Sequence, residues 1–168
     1  MTRTWVLLAS CIVSLAAWGQ TLAGNPPPKK QVSPFAEYAG VWTSAFEGKV
    51  WVRLQLALTG DGLSGSLMHA RSIGLNDNGD VKSVSEAQSS ETITEASLNP
   101  DGLVLTAKDP DTQETGRYLM RLVLPAKDAA DLKMIGATMP PGMPKPKPWR
   151  LLKVGFAATN KVAAPRPR

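Results

Sequence analysis

The chain has little of the residue types that most often perform chemistry. Its 168 residues include one cysteine, Cys11, and one histidine, His69. A single histidine excludes a metal site with two histidine ligands, and a single cysteine excludes an internal disulfide. No serine stands in the G-x-S-x-G context of a nucleophile elbow. We therefore expect no catalytic residue, no metal site and no cofactor, and a hydrolase is only the third interpretation.

Acidic residues are absent from both ends of the chain. All 14 of them lie between Glu37 and Asp131, whereas residues 141–168 contain seven Lys or Arg residues and no acid. A protein that reads nucleic acid needs basic side chains organised on its folded face, so this pattern argues against a nucleic-acid partner. The basic end, which includes Trp149 and Arg150, is a candidate for contact with an anionic envelope surface. The alternative is a segment that serves only solubility.

A long apolar run occurs only at the N-terminus. Residues from Trp5 to Trp18 are mostly apolar, and small residues follow up to Ala23. This pattern predicts a secretory signal peptide over residues 1–23, cleaved after Ala23 or, alternatively, after Gly19. The run is shorter than the ~20 residues that span a bilayer, so we expect no transmembrane segment after cleavage and a periplasmic or extracellular location. Cleavage would also remove Cys11, the only cysteine.

Two further segments are predicted to lie outside the folded domain. Residues 24–34 form a Pro-rich linker, which is stiff and extended. Residues 158–168 have too few large apolar side chains to pack and predict a basic disordered tail. Residues 35–157 between them are enough for one domain with its own core. We expect a monomer.

Alternation of apolar and polar residues dominates this central region. Lys49–Leu58 is the clearest case and predicts a strand. A turn directly after it places Leu58 opposite Leu63 and Val52 opposite His69. The other predicted strands are Gly40–Phe46, Leu63–Arg71, Thr92–Leu98, Leu103–Lys108, Gly116–Leu124, Asp131–Thr138 and Trp149–Val154. The predicted fold class is all-β, a single small antiparallel meander closed or nearly closed into a barrel.

Two loop segments interrupt this series of strands. Asn76–Asp80 is rich in oxygen ligands. If Gly79 is aligned with the invariant glycine of a calcium-binding EF-hand loop, Gly74 and Ser85 occupy its first and twelfth positions, where such a loop needs acidic residues. A hairpin turn at Asn78-Gly79 is the simpler interpretation. Met139–Pro148 has five prolines in ten residues and predicts a rigid surface loop before the last strand.

The strongest predicted strand also carries the most interesting polar set. Trp51, Arg53 and Gln55 alternate with its aliphatic residues and are expected to share one face. If that face pointed into the barrel, the three would line a pocket. Since aliphatic side chains normally fill a small barrel, the outward orientation is favoured, as a contact patch with an exposed tryptophan. His69 is expected at the barrel mouth, partly buried, with a pH-sensitive or ligand-contacting role as the alternative.

Three short motifs support the barrel. They are Tyr38-Ala-Gly-Val-Trp42, Asp61-Gly-Leu-Ser-Gly65 and Pro148-Trp-Arg-Leu-Leu-Lys153. The chain resembles a loose group of small exported bacterial β-barrel domains of unknown function, and the resemblance implies the barrel but no functional residue. The Gly-x-Trp opening is similar in outline to lipocalin and avidin-like barrels, which implies that Trp42 packs across the barrel floor.

These observations together predict a class of function. We expect an exported, non-enzymatic binding or interaction module of the bacterial cell envelope, whose partner is an envelope component or another protein. The alternative is a carrier that holds a small apolar ligand inside the barrel. The candidate binding residues are Trp51, Arg53, Gln55, His69, Trp149 and Arg150.

Overall fold

The computed structural model describes residues 32–60, 62–136 and 142–155. The predicted signal peptide with its cleavage site, most of the linker and the basic tail lie outside these residues. The described part of the chain contains ten β-strands and no helix. The strands are β1 (Gly40–Phe46), β2 (Lys49–Thr59), β3 (Gly62–Ala70), β4 (Ile73–Leu75), β5 (Val81–Val84), β6 (Gln88–Asn99), β7 (Gly102–Lys108), β8 (Thr115–Leu122), β9 (Ala129–Ile135) and β10 (Trp149–Val154).

Eight of the strands close into an antiparallel barrel in the order β1-β10-β9-β8-β7-β6-β3-β2. The strands β4 and β5 form a separate hairpin that lies in sequence between β3 and β6, which pair directly in the barrel. The predicted all-β antiparallel barrel is therefore confirmed, and each barrel strand overlaps one predicted strand. The main difference in bounds is β6, which begins at Gln88 rather than at Thr92.

The β2–β3 hairpin has the register that alternation predicts. Leu58 pairs with Leu63, and Val52 pairs with His69. Alternate side chains of the barrel strands point inward, where they form one continuous hydrophobic core. The side chains that are almost completely buried are Trp42, Val52, Leu54, Leu67, Leu103, Leu105, Tyr118, Met120, Leu132 and Leu151. The interior is thus occupied by the protein's own side chains.

A β-bulge interrupts the pairing of β1 with β2. Ser44 pairs with Val52, but the next residue, Ala45, pairs with Val50, so Trp51 is an extra residue on β2. A bulge of this kind places two residues of one strand opposite one residue of its neighbour and changes the direction of the extra side chain. Trp51 and Val52 are accordingly both buried.

The expectation that Trp51 shares an outward face with Arg53 and Gln55 is therefore wrong for Trp51. Only 5% of its surface is exposed, and its ring packs edge-on against that of Trp149, with centroids 5.1 Å apart. Arg53 and Gln55, which follow the bulge, are exposed on the outer surface as predicted. The bulge breaks the alternation on which the shared face depended.

One end of the barrel is closed by a tryptophan. The Trp42 indole Nε1 donates to the carbonyl oxygen of Tyr38 at 2.8 Å, and the segment that contains Tyr38 packs against the core. The ammonium of Lys153 lies 4.9 Å from the centroid of the Trp42 ring and donates to the carbonyl oxygen of Glu37. Trp42 is thus completely buried near the end of the barrel at which β1 begins.

The opposite end of the barrel, which we call the open end, carries the longest connections. The β4–β5 turn has Gly79 at a φ of 78°, and the Asn76 side-chain oxygen accepts the backbone N–H groups of Asn78 and Asp80. The predicted turn at Asn78-Gly79 is confirmed. The described part of the Pro-rich segment, residues 142–148, contains no strand.

The Pro-rich segment is attached to the β4–β5 hairpin. The backbone N–H of Lys147 donates to the carbonyl oxygen of Gly79 at 2.9 Å, and its ammonium binds the Asp80 carboxylate at 2.8 Å. A Cβ atom at position 79 would lie 2.1 Å from the carbonyl oxygen of Lys145, so only glycine fits under this segment. The Pro-rich segment and the β4–β5 hairpin thus form one layer at the open end. Among the described residues, no helix is long and apolar enough to cross a membrane.

Candidate ligand site at the open end

Three polar side chains meet inside the barrel near its open end. His69 on β3, Glu91 on β6 and Tyr118 on β8 each follow the inward alternation of their strand. The Nε2 atom of His69 lies 3.1 Å from Oε1 of Glu91. The Tyr118 hydroxyl donates to the same carboxylate, at 3.2 Å from Oε1 and 3.1 Å from Oε2. Glu91 is therefore the common acceptor of the two neighbouring side chains.

This geometry favours the doubly protonated form of His69. Its Nδ1 atom lies 2.9 Å from the carbonyl oxygen of Ala70, which can only accept, so Nδ1 carries a proton. Its Nε2 atom faces the carboxylate of Glu91, and the imidazolium form satisfies both acceptors. The hydrogen bond with Glu91 is the main cause that raises the pKa of His69, and burial opposes it.

Tyr118 remains a hydrogen-bond donor throughout the physiological range. Burial, together with the neighbouring Glu91 carboxylate, raises the pKa of its hydroxyl far above the ordinary value. Its ring also lies 6.3 Å from the ring of Trp149, which in turn contacts Trp51. An aromatic cluster thus supports the polar group and restricts the rotamers of Tyr118.

A cavity of about 520 Å³ opens beside these three residues, and we call it the acidic cavity. Its wall includes side chains of β3, β6, β8 and β9 and of the loop between β7 and β8. Six of the lining residues can carry charge: His69, Arg71, Glu91, Asp109, Asp111 and Glu114. Four carboxylates thus face two basic groups, which gives the cavity a negative net charge even with His69 protonated.

Asp109 has a structural role in this wall. Its Oδ1 accepts the backbone N–H groups of Thr112 at 3.0 Å and Asp111 at 2.8 Å, and its Oδ2 accepts the hydroxyl of Ser89 at 3.1 Å. The backbone bonds from Thr112 and Asp111 hold the pKa of Asp109 below its usual value. Asp109 therefore stays ionised and fixes the loop that carries Asp111 and Glu114.

Asp111 and Glu114 are different, because their carboxylates are available. Both residues are exposed on the rim of the acidic cavity, and neither side chain forms a hydrogen bond or an ion pair within the described residues. Neither carboxylate thus has an ion-pair partner among the described residues, and Arg71 lines the same cavity. Within residues 32–60, 62–136 and 142–155, no group of three or more His, Cys, Asp or Glu residues is arranged to hold a metal ion.

A second cavity, of about 400 Å³, lies between the Pro-rich segment, the β4–β5 hairpin and the ends of β9 and β10. We call it the apolar cavity, because its wall has no titratable side chain. Its lining residues are Ile73, Gly74, Leu75, Met134, Met143, Pro144, Pro146 and Trp149. Met134 lines both the acidic cavity and the apolar cavity.

The structure brings together some of the residues that the sequence suggested. His69, Trp51 and Trp149 all lie at the open end, although Trp51 contributes through its contact with Trp149. Arg53 and Gln55 point away from this site and are exposed on the outer surface. Arg150 is exposed and pairs with Asp131 at 2.7 Å, and it lines a smaller cavity of about 150 Å³ together with Trp51 and Trp149. Ala23, the predicted cleavage site, lies outside the described residues.

Two central residues of the site, Glu91 and Tyr118, were not predicted. The sequence did contain a signal for Glu91, since it stands two positions before the buried Ile93 and shares its face of β6. That signal was lost because the predicted strand began at Thr92. Tyr118 fell inside a predicted strand, but nothing in the sequence indicated a polar partner for its hydroxyl.

The chain was also compared with known proteins. No protein-family model, curated protein or solved structure matches it. The resemblance to small exported barrel domains therefore stays a prediction, and the case for function depends on the geometry of the open end.

Proposed function

We propose that the protein is a non-enzymatic binding module whose ligand carries a positive charge and binds in the acidic cavity. The observation that carries this proposal is the excess of carboxylates in the cavity wall, two of which, on Asp111 and Glu114, have no hydrogen-bond or ion-pair partner among the residues that the structure describes. A ligand amine there would gain charge-assisted hydrogen bonds without breaking an existing ion pair. The volume of about 520 Å³ is within the range of small-molecule sites.

The state of His69 supports binding rather than catalysis. A general base needs a free lone pair within reach of the substrate proton. Both ring nitrogens of His69 already face acceptors, Ala70 and Glu91, so the imidazolium has no lone pair to offer. As the chain's only histidine, it serves better to hold Glu91 in place than to move a proton.

The filled interior supports a ligand at the open end rather than in the barrel centre. A carrier with its ligand between the sheet walls, the alternative drawn from the sequence, would have to displace fully buried side chains such as Leu67 and Leu105. Emptying such positions costs several kcal/mol each in comparable cores, about 2–5 kcal/mol for a buried leucine. The cavities at the open end need no such rearrangement.

Calorimetric titration of the protein with diaminobutane tests the proposal, with butanediol as the uncharged analogue of the same length. We expect measurable binding of the diamine, weakened by salt, and none of the diol. The double variant Asp111→Asn/Glu114→Gln should weaken diamine binding by about 0.4–2 kcal/mol, since exposed ion pairs contribute about 0.2–1 kcal/mol each.

A matched control removes two carboxylates from elsewhere. Glu95 is exposed on β6, and Asp128 is exposed in the loop between β8 and β9, at the opposite end of the barrel from the acidic cavity. The double variant Glu95→Gln/Asp128→Asn changes the net charge by the same amount and should bind the diamine almost as the parent does. Equal weakening in both double variants would mean that net charge alone attracts the ligand, and it would refute a site in the acidic cavity.

We also propose that the protein acts in the periplasm or outside the cell, in the bacterial envelope. The N-terminal apolar run with its small-residue boundary supports this location. The intact mass of the protein recovered from the envelope fraction of an expressing bacterium tests it. A chain that begins at Gly24 is the expected result, whereas a full-length cytoplasmic chain would contradict it.

A further inference from the structure

We infer that the open end binds an amphiphilic amine, whose ammonium group lies in the acidic cavity and whose aliphatic chain lies in the apolar cavity. The placement of the ammonium rests on the proposed function. The aliphatic chain is a new element, and it follows from the position and the chemistry of the second cavity.

The two cavities are neighbours that share one wall. Met134 on β9 lines both of them, and it pairs across the sheet with Tyr118, which lines the acidic cavity. Trp149, which lines the apolar cavity, lies 6.3 Å from Tyr118 between ring centroids. A ligand that occupies both cavities would therefore contact Met134, an unbranched side chain that adapts to the shape of what it contacts.

The lining of the apolar cavity fits a chain without hydrogen-bonding groups. Ile73, Leu75, Met134 and Met143 offer aliphatic or thioether surface, and the cavity has no titratable residue in its wall. The Met143 side chain leaves 59% of its surface exposed, so part of this apolar wall faces water until something covers it. Covering it with an aliphatic chain is favourable in proportion to the apolar area removed from water.

Charge complementarity selects the head group of this occupant. A fatty acid would place its carboxylate in a wall that carries four carboxylates and only two basic groups, His69 and Arg71, so net like-charge repulsion disfavours it. An ammonium at the same place faces the two unpartnered carboxylates of the rim. The occupant that satisfies both cavities is therefore a single-chain alkylamine rather than an anionic or uncharged lipid.

A homologous series of probes tests this inference on the intact chain. We would titrate the protein with butylamine, hexylamine and octylamine below micelle-forming concentrations, and with octanoate and octanol as anionic and uncharged analogues. Affinity should rise about fourfold for each added methylene, because each buried CH₂ contributes a roughly constant free energy. Octylamine should bind more tightly than octanol, and octanoate should bind least.

Two variants locate the aliphatic chain. Met143→Ser removes an exposed part of the apolar wall and should weaken octylamine binding severalfold while leaving diamine binding unchanged. Leu152→Ser is its control, since Leu152 is equally exposed, at 60%, but lies on the outer face of β10. This control should change neither affinity. The tryptophan fluorescence of the protein, to which Trp149 contributes, should respond to octylamine but not to the diamine.

The outcomes separate the inference from the proposed function. If the diamine binds but affinity does not rise with chain length, the acidic cavity is a site for small cations and the inference is wrong. If octanoate binds as well as octylamine, or if Met143→Ser and Leu152→Ser behave alike, the inference is also wrong. If neither the diamine nor any alkylamine binds, both the inference and the proposed function fail.

Discussion

Replacing Glu91 with alanine would leave two hydrogen-bond donors at the open end without their acceptor. The carboxylate accepts from Nε2 of His69 at 3.1 Å and from the hydroxyl of Tyr118 at 3.1–3.2 Å. Side-chain exposure is only 18% for His69 and 12% for Glu91, so both groups of that pair are largely removed from water. The variant therefore disrupts a polar group that the fold has already desolvated.

The expected loss of stability follows from these two bonds. A hydrogen bond to a charged group contributes about 1.5–3 kcal/mol, which would give about 3–6 kcal/mol for the pair. Water from the adjoining acidic cavity can replace part of the missing carboxylate, which lowers the loss. We expect Glu91→Ala to reduce the free energy of unfolding by about 2–4 kcal/mol.

The control is Glu95→Ala on the same strand. Glu95 is exposed, and among the described residues its carboxylate has only a long contact with the Thr106 hydroxyl, at 3.4 Å. Its removal should change stability by less than about 0.5 kcal/mol, as is usual for surface substitutions. Urea unfolding followed by tryptophan fluorescence measures both variants, with an unchanged slope as the sign that the unfolded states are comparable.

The loss in Glu91→Ala should also depend on pH. The hydrogen bond with Glu91 raises the pKa of His69 in the folded state, so its stabilisation is fully present below the unfolded value of about 6.5. It is lost as the pH rises through the folded value, because the imidazolium gives up a proton. Asp109, whose pKa is lowered, stays ionised over this range, and Arg71 also lines the cavity beside His69. The stability difference between parent and variant should therefore be larger near pH 6 than near pH 9.

Two results would refute this reasoning. The first is equal stability of Glu91→Ala and Glu95→Ala near pH 6, which would mean that water replaces the carboxylate completely. The second is a stability difference that does not change with pH, which would mean that His69 is not the cationic partner. Since His69 is the only histidine, its ring proton signals in an untagged protein report its titration directly.

Two further predictions concern the barrel. A Cβ atom at Gly65 would lie 1.8 Å from the backbone oxygen of Gln55, so Gly65→Ala should lower the free energy of unfolding by about 3 kcal/mol. The control is Gly62→Ala, because a Cβ atom there would have no contact shorter than 3.9 Å. Thermal unfolding should show a change of less than about 1 kcal/mol for this control. Trp51→Ala should lower the free energy of unfolding by about 3–5 kcal/mol, because the bulge buries this side chain. Arg53→Ala, on the exposed face, should lower it by less than about 0.5 kcal/mol. Equal losses for the two variants in urea unfolding would contradict the bulge.

The fold could be predicted because its signals are local. The β2–β3 hairpin combines strict alternation with a glycine-containing turn, and these two features alone define the pairing of Leu54 with Leu67. The same reasoning located the other barrel strands. Closure of the barrel then followed from the number of short strands and the lack of a helical repeat.

The bulge could not be predicted in this way. Trp51 continues the alternation of Lys49–Leu58 without a break, so nothing within β2 marks it as an extra residue. The irregularity exists only in the pairing with β1, at Ser44 and Ala45. A single residue inserted in the register reverses the direction of a side chain, and alternation within one strand does not contain that information.

The candidate site was only partly predictable for a related reason. Its residues are distant in sequence: Glu91 is 22 residues from His69 and 27 from Tyr118. In the barrel, β6 pairs with β3, and β7 separates β6 from β8. The pairing of β3 with β6 across the β4–β5 excursion brings Glu91 and His69 together. Position at the barrel mouth was correctly expected for His69, but the identity of its partner depended on long-range topology.

The β4–β5 hairpin has a consequence for how this protein can diversify. The chain leaves the barrel at Ala70 and returns at Gln88, and these two residues already pair with each other. A short turn could therefore replace the whole excursion without opening the barrel. Apart from Arg71, the charged part of the open end belongs to the barrel strands and the loop between β7 and β8, whereas Ile73 and Leu75 belong to the excursion. Exchange of residues 72–87 would then alter part of the wall of the apolar cavity and conserve the charged side chains of the acidic cavity, so that the preferred tail of a ligand changes while its preferred head group is retained.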